Sequence, residues 1–115
     1  GTLAGGAFGM ALACDIRIAV PAAKFFYPVI KLGFLPRPSD PLRLSALIGP
    51  ARAKMILVAS QKIDSAEALT WGLIDRVIEP AYMEDEIARL SQAPLAAELQ
   101  QISGIKRTVP DTTGR

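Results

Sequence analysis

Gly1-Thr2-Leu3-Ala4-Gly5-Gly6-Ala7-Phe8-Gly9-Met10-Ala11-Leu12-Ala13-Cys14-Asp15 is the stretch on which the fold turns. Gly5 and Gly6 read as a loop, and residues 7–13 as an apolar segment short enough to be a buried helix. Gly9 within that segment permits close approach of another backbone. A glycine pair opening a helix leaves backbone N–H groups aimed at one spot. Together with the positive end of the helix dipole, they favour a negative or polarised oxygen there. The pair alone also admits a plainer reading, in which it only lets the helix pack closely.

Outward from this stretch, residues 15–20 alternate polar and apolar, the period of a half-buried strand, and Pro21 closes it. Residues 24–27 read as a second short strand ended by Pro28. The two are expected to form one two-strand unit beside the buried helix. Three prolines and a glycine make residues 33–41 a loop. Leu44, Leu47 and Ile48 recur at helical spacing in residues 42–48, and Gly49-Pro50 stops that helix. A further helix is expected over 51–59, with Met55, Ile56 and Val58 inward. Asp64 or Ser65 caps the next helix, which carries Trp71 as a packing anchor and ends at Gly72. Residues 75–78 read as a strand and 82–90 as an amphipathic helix with a solvated acidic face. Beyond Ser103, Gly104, Pro110 and Gly114 give an irregular tail. The order of elements points to α/β or α+β.

Composition narrows the function. Thirteen basic and 11 acidic residues leave a net charge of only +2, and the basic residues are scattered. Nucleic-acid binding is not expected, because it needs a concentrated basic stripe. With no histidine, neither a Ser/His/Asp triad nor a His-ligated zinc site can be built from these residues. The single Cys14 cannot form an internal disulfide, which fits a reducing compartment, and it reads as a buried structural thiol. No apolar run is long enough for a membrane span, and no metal site or membrane partner is expected.

Taken together, Gly5-Gly6, Phe8-Gly9, Ala11-Leu12-Ala13-Cys14-Asp15 and Arg17-Ile18-Ala19 strongly resemble the crotonase superfamily, the enoyl-CoA hydratase/isomerase family. Ala23-Lys24-Phe25, Pro28, Lys31-Leu32-Gly33 and Pro36 follow the family's next block in order and spacing. So do Arg43-Leu44, Ile48-Gly49, Ala53-Lys54, Ala66-Glu67-Ala68 and Trp71-Gly72-Leu73-Ile74. The resemblance covers residues 1–80 and continues weakly to 107. It implies an α/β, crotonase-like spiral of ββα units, here a partial unit followed by helices. The expected organisation is a partial core over 1–80, a helical segment over 81–103 and an irregular tail over 104–115. Because the chain opens in the middle of a motif, it reads as the C-terminal part of a longer subunit. The resemblance implies that the whole subunit forms homotrimers or hexamers, and the cysteine usage leads to the expectation of a cytoplasmic protein.

The resemblance also implies chemistry on an acyl-CoA, with coenzyme A carried by the substrate and no separate cofactor. A thioester carbonyl turning into an enolate is an oxygen of the kind a glycine-opened helix favours. Gly6 aligns with one of two backbone N–H donors of the family's oxyanion hole, and Gly5 adjoins it. The second donor and most of the CoA-binding loop belong to the N-terminal half. Family hydratases use two glutamates, one three residues after the oxyanion glycine and one after the next strand's proline. Here those positions are Gly9 and Val29, so standard two-glutamate hydration is not expected. Tyr27 and Asp40 are candidate substitutes, Tyr27 as a proton donor or acyl-oxygen ligand. Each also has a structural reading: a packed ring with its hydroxyl at the pocket rim, and an Asp before proline in a turn. Arg37 could meet an anionic acyl group or a CoA phosphate, or be a solvated loop charge. Phe8, Val29, Leu32 and Phe34 are candidates to line an acyl pocket, or to fill core. The rival function is an acyl-CoA-binding or scaffolding paralogue without catalysis, or an inactive fragment.

Overall fold

The computed structural model describes residues 2–109, with side chains from Phe8 onward. Strand β1 (Thr2–Ala4) runs directly into helix α1 (Gly5–Leu12), followed by strands β2 (Ile18–Ala19) and β3 (Lys24–Phe26). Short helix α2 (Val29–Leu32) precedes α3 (Ser39–Ile48) and α4 (Pro50–Leu57). Strand β4 (Ile63–Asp64), helix α5 (Ser65–Trp71) and strand β5 (Arg76–Val77) complete the α/β part. A 3-10 turn (Pro80–Tyr82) leads into α6 (Met83–Ala96) and α7 (Leu99–Thr108).

Two small sheets result. In the first, β3 is central, parallel to β1 and antiparallel to β4. Its register pairs Ala4 with Phe26, so α1 and Tyr27 leave the sheet at the same end. In the second, β2 pairs in parallel with β5. Arg17 staples the two chain segments there. Its backbone N–H donates to Asp75 Oδ2 at 2.7 Å, and its Nε donates to the Leu73 carbonyl at 2.8 Å.

The core gathers Phe8 and Leu12 of α1, Phe25 and Tyr27, Leu44 and Ile48 of α3, Ile56, Ile63 and Leu73. Helix α5 is set at both ends by its own sequence. The Asp64 carboxylate accepts from the Glu67 N–H at 2.8 Å, satisfying one of the first turn's open donors. Gly72 closes the helix at φ 86°, a left-handed conformation in which a Cβ would be strained. Ser65 Oγ donates to the Val20 carbonyl at 2.7 Å and so ties α5 to the turn between β2 and β3.

Several expectations are corrected. Gly5 and Gly6 are the first residues of α1 rather than a loop. Glycine's cost is tolerable at a helix start, where the N–H groups have no intrahelical acceptor in any case. The strand expected over 15–20 shrinks to Ile18–Ala19, because the Arg17 side chain bonds the Cys14 and Leu73 carbonyls and folds the preceding residues into a bend. The strands near 15–27 do not form one unit, since β2 and β3 belong to different sheets. The strand over 75–78 shortens to Arg76–Val77. Helix α3 starts earlier than expected, at Ser39, because Pro41 sits in its first turn, where proline is tolerated. In α4, Ala53 and Ile56 face inward one turn apart, while Met55 and Val58, expected inward, lie on the exposed side.

The C-terminal reading also changes. The helix expected over 82–90 begins at Met83 and reaches Ala96, although Pro94 lies inside it. The tail expected to be irregular from 104 is helical through Thr108. Gly104 costs about 1 kcal/mol in a helix, too little to end this one. Residues 110–115, the rest of that tail, lie outside the described residues. Cys14 is exposed, not a buried thiol, because it follows the last turn of α1. Trp71 behaves as expected, half-buried against the core with the Arg52 guanidinium 5.2 Å from its ring centre.

Candidate functional site

Helix α1 supplies the frame. Gly6 is its second residue, so its N–H belongs to the first turn, whose donors have no partner within the helix. Two residues on, Phe8 is 1% exposed, its ring edge-on to Phe25 at 6.3 Å and tilted against Tyr27 at 5.7 Å. Phe8 is therefore part of the wall behind α1. One turn after Gly6 comes Gly9, and the space its missing side chain leaves is occupied. A Cβ there would collide with Asp40 Oδ2 and lie 3.0 Å from both Cγ and Oδ1. Gly9 is thus required by a side chain from α3.

Asp40 is only 2% exposed and sits in the first turn of α3, where a carboxylate meets the positive end of the helix dipole. Its second support is Tyr27, 3% exposed, whose hydroxyl donates to Oδ2 at 2.5 Å. Burial, then the hydrogen bond to Asp40 and its charge, push the Tyr27 hydroxyl up to about 12. The neighbouring Arg37 pulls the other way, and more weakly. Tyr27 therefore stays a protonated donor across the neutral range. Its hydroxyl is buried on a carboxylate rather than resting at a pocket rim, and Asp40 is a packed core acid rather than an ordinary turn residue.

The nominated residues divide accordingly. Phe8, Tyr27 and Asp40 meet on one side of α1, with Gly9 between them and Gly5 and Gly6 at the helix start. Val29 is half-buried against the core. Leu32 and Phe34 are exposed on and just beyond α2, and Arg37 is exposed in the loop before α3. A groove of about 270 Å³ opens past Leu12, Cys14, Ile16 and Arg17, and among the described nominated residues, from Phe8 onward, only Phe8 lines it. Sequence reasoning read Gly9 as a close-packing glycine and as a lost acid, and did not connect it with Asp40. A glycine interior to an apolar helix, together with an acid far along the chain, was the available signal. Among the described residues no group of His, Cys, Asp and Glu could hold a metal ion, and no helix is long and apolar enough to cross a membrane.

The same frame recurs in known proteins. A family model described as enoyl-CoA hydratase/isomerase matches residues 1–112. A short-chain-enoyl-CoA hydratase of Clostridioides difficile is 41% identical over 72% of this chain and 54% of its own length. A carnitinyl-CoA dehydratase of Citrobacter koseri is 35% identical over 96% of this chain and 44% of its own. The chain thus spans about half the length of such relatives. Among solved structures, a Thermobifida fusca protein described as an enoyl-CoA hydratase, in complex with CoA, superposes with a TM-score of 0.79. It is 32% identical, over 85% of this chain and 38% of that one. The strand-to-helix junction at Gly5, the parallel β1–β3 pair and the helices that follow are accordingly a partial crotonase-like α/β unit. With its family model matched along nearly the whole sequence, the chain belongs to the enoyl-CoA hydratase/isomerase family.

Proposed function

We propose that the chain forms part of an acyl-CoA site in which the Gly6 N–H donates to the thioester oxygen and stabilises an enolate. The observation that carries this reading is the start of α1: the helix begins at Gly5 directly off β1, so its open first-turn donors gather at Gly6. The substrate brings coenzyme A, and no other cofactor is invoked. Residues 9 and 29 carry no acid. The favoured chemistry is therefore stabilisation of negative charge on the thioester oxygen at Gly6 N–H during isomerisation, hydrolysis, decarboxylation or an atypical hydration, not two-glutamate hydration. Assembly of the full-length protein into trimers or hexamers is part of the same reading.

Gly6→Pro tests it. Proline is tolerated in a helix's first turn and lacks the N–H, and Gly5 has no Cβ to clash with the new ring. Loss of one such donor costs about 2.7–4 kcal/mol of transition-state stabilisation, whereas affinity for the ground-state thioester falls less. In the full-length protein, turnover should drop about 10²–10³-fold while calorimetry still detects acyl-CoA. Unchanged turnover in a folded variant refutes the assignment. Crotonyl-CoA hydration by the unmutated protein should be slower than by two-glutamate hydratases, by about 10²–10⁴-fold for a missing acid. Affinity with no turnover of any acyl-CoA tried would establish the binding-only alternative.

A further inference from the structure

The geometry points to Asp40 as the proton acceptor of this site, a carboxylate delivered from α3 into the space that Gly9 leaves open on α1. The inference rests on the acyl-CoA reading above and adds the residue that does the acid–base work. Gly6 and Gly9 lie three residues apart on α1, hence on one side of the helix and about 4.5 Å apart along its axis at ~1.5 Å per residue. A carbonyl held at Gly6 would place its neighbouring carbon toward the next turn. Nothing of α1's own side chains stands there, because residue 9 has none. The Asp40 carboxylate fills that gap within contact range of the Gly9 Cα, and Tyr27 fixes its orientation through Oδ2.

Of the tasks open to a carboxylate beside a thioester, proton removal is the one that yields an enolate facing Gly6. The carboxylate removes a proton from the carbon next to the carbonyl. The C–H bond breaks, its electron pair moves into a C=C bond, and the carbonyl π pair moves to oxygen as the enolate charge facing Gly6 N–H. The proton passes to Asp40 and trades there with solvent, and a solvent-derived proton (a deuteron in D2O) returns from Asp40 to carbon in the reverse step. No oxidant, metal or further reactant is needed. Tyr27 acts as a positioning residue, donating to the carboxylate and holding it against Gly9. The packing also accounts for an otherwise unhelpful glycine inside a helix. Any side chain at position 9 would expel the acid.

Exchange of deuterium into the α-carbon of butyryl-CoA in D2O, followed by NMR on the full-length protein, reads this step alone. The unmutated protein should catalyse exchange, and Asp40→Asn, which preserves size, should slow it by about 10²–10⁴-fold. A second variant moves the carboxylate between helices: Gly9→Glu combined with Asp40→Gly supplies the acid from α1 to the same place. It should recover at least about tenfold over Asp40→Asn, because a carboxylate at this place performs the exchange from either helix. Should Asp40→Asn fail to fold, the double variant decides, and a folded double variant without exchange overturns the inference. Undiminished exchange in folded Asp40→Asn overturns it too. Calorimetry separates the two levels. Butyryl-CoA binding without exchange by the unmutated protein sinks the Asp40 assignment and leaves acyl-CoA binding standing, whereas no binding sinks the acyl-CoA reading and this inference with it.

Discussion

Gly9→Ala should destabilise the protein, against the ordinary expectation for a glycine inside a helix. Replacing an interior helical glycine with alanine normally gains about 0.8–1.0 kcal/mol. Here the added methyl would land on Asp40 Oδ2 and press on Cγ and Oδ1 at 3.0 Å. A flexible surface side chain would swing away at little cost. Asp40 is short, 2% exposed and pinned by Tyr27, so its retreat would break the 2.5 Å bond from the Tyr27 hydroxyl inside the core. Leaving a buried polar group without its partner costs about 1–3 kcal/mol, and overpacking costs a further ~1–3 kcal/mol. Even the low ends of these costs exceed the helical gain, so a net loss of about 1–5 kcal/mol is expected. Urea unfolding monitored by circular dichroism measures it, as a lower midpoint at unchanged slope. In an Asp40→Ala background the obstacle is gone. The same Gly9→Ala change should then stabilise by about 1 kcal/mol, a reversal of sign that a double-mutant cycle isolates. Stabilisation by Gly9→Ala in the unmutated background would refute the lodging of Asp40 against α1.

Tyr27 gives the protein an alkaline signature. Its hydroxyl is pushed up from 10.0 to about 12, so the unfolded chain loses that proton first. The associated stability is complete below pH 10 and is lost as pH rises toward 12, by roughly 3 kcal/mol over the two units. Unfolding measured across that range should show the loss, and Tyr27→Phe, which has no proton to release, should lack this part of the slope. Asp64→Ala should cost about 0.5–2 kcal/mol by removing the N-cap of α5, read as a lowered thermal midpoint. No change would mean that the 2.8 Å bond to the Glu67 N–H contributes nothing.

Local chemistry made part of this fold legible. Asp64 and Gly72 bracket α5 because a carboxylate at one end and a left-handed glycine at the other are written in single residues. The ordered blocks from Gly5-Gly6 through Cys14-Asp15, Lys31-Leu32-Gly33 and Ile48-Gly49 to Trp71-Gly72 carried the family resemblance. Pairing was less legible: β2 and β3 are neighbours in sequence, yet each pairs with a distant strand, and two- or three-residue strands carry too little alternation to announce a partner. Helical faces failed where apolar residues were not all inward. Met55 and Ile56 are adjacent, and a 100° step sends one out and one in.

The site was half legible for a related reason. Each of its residues, taken singly, has a bland explanation: Gly9 as a close-packing glycine, Tyr27 as a core aromatic, Asp40 as an acid before proline. Their meaning lies in volume and burial shared between helices distant in sequence, which no spacing rule records. A carboxylate that is nearly sealed from water is costly unless its oxygens are bonded and its neighbours leave room for it. Gly9 supplies the room, Tyr27 the bond and the start of α3 a favourable dipole, so three separate elements all accommodate one acid. A turn aspartate would have needed none of them. The convergence of these costs on Asp40 is why its position against α1, rather than its place in the sequence, decides how the protein responds to a side chain at residue 9.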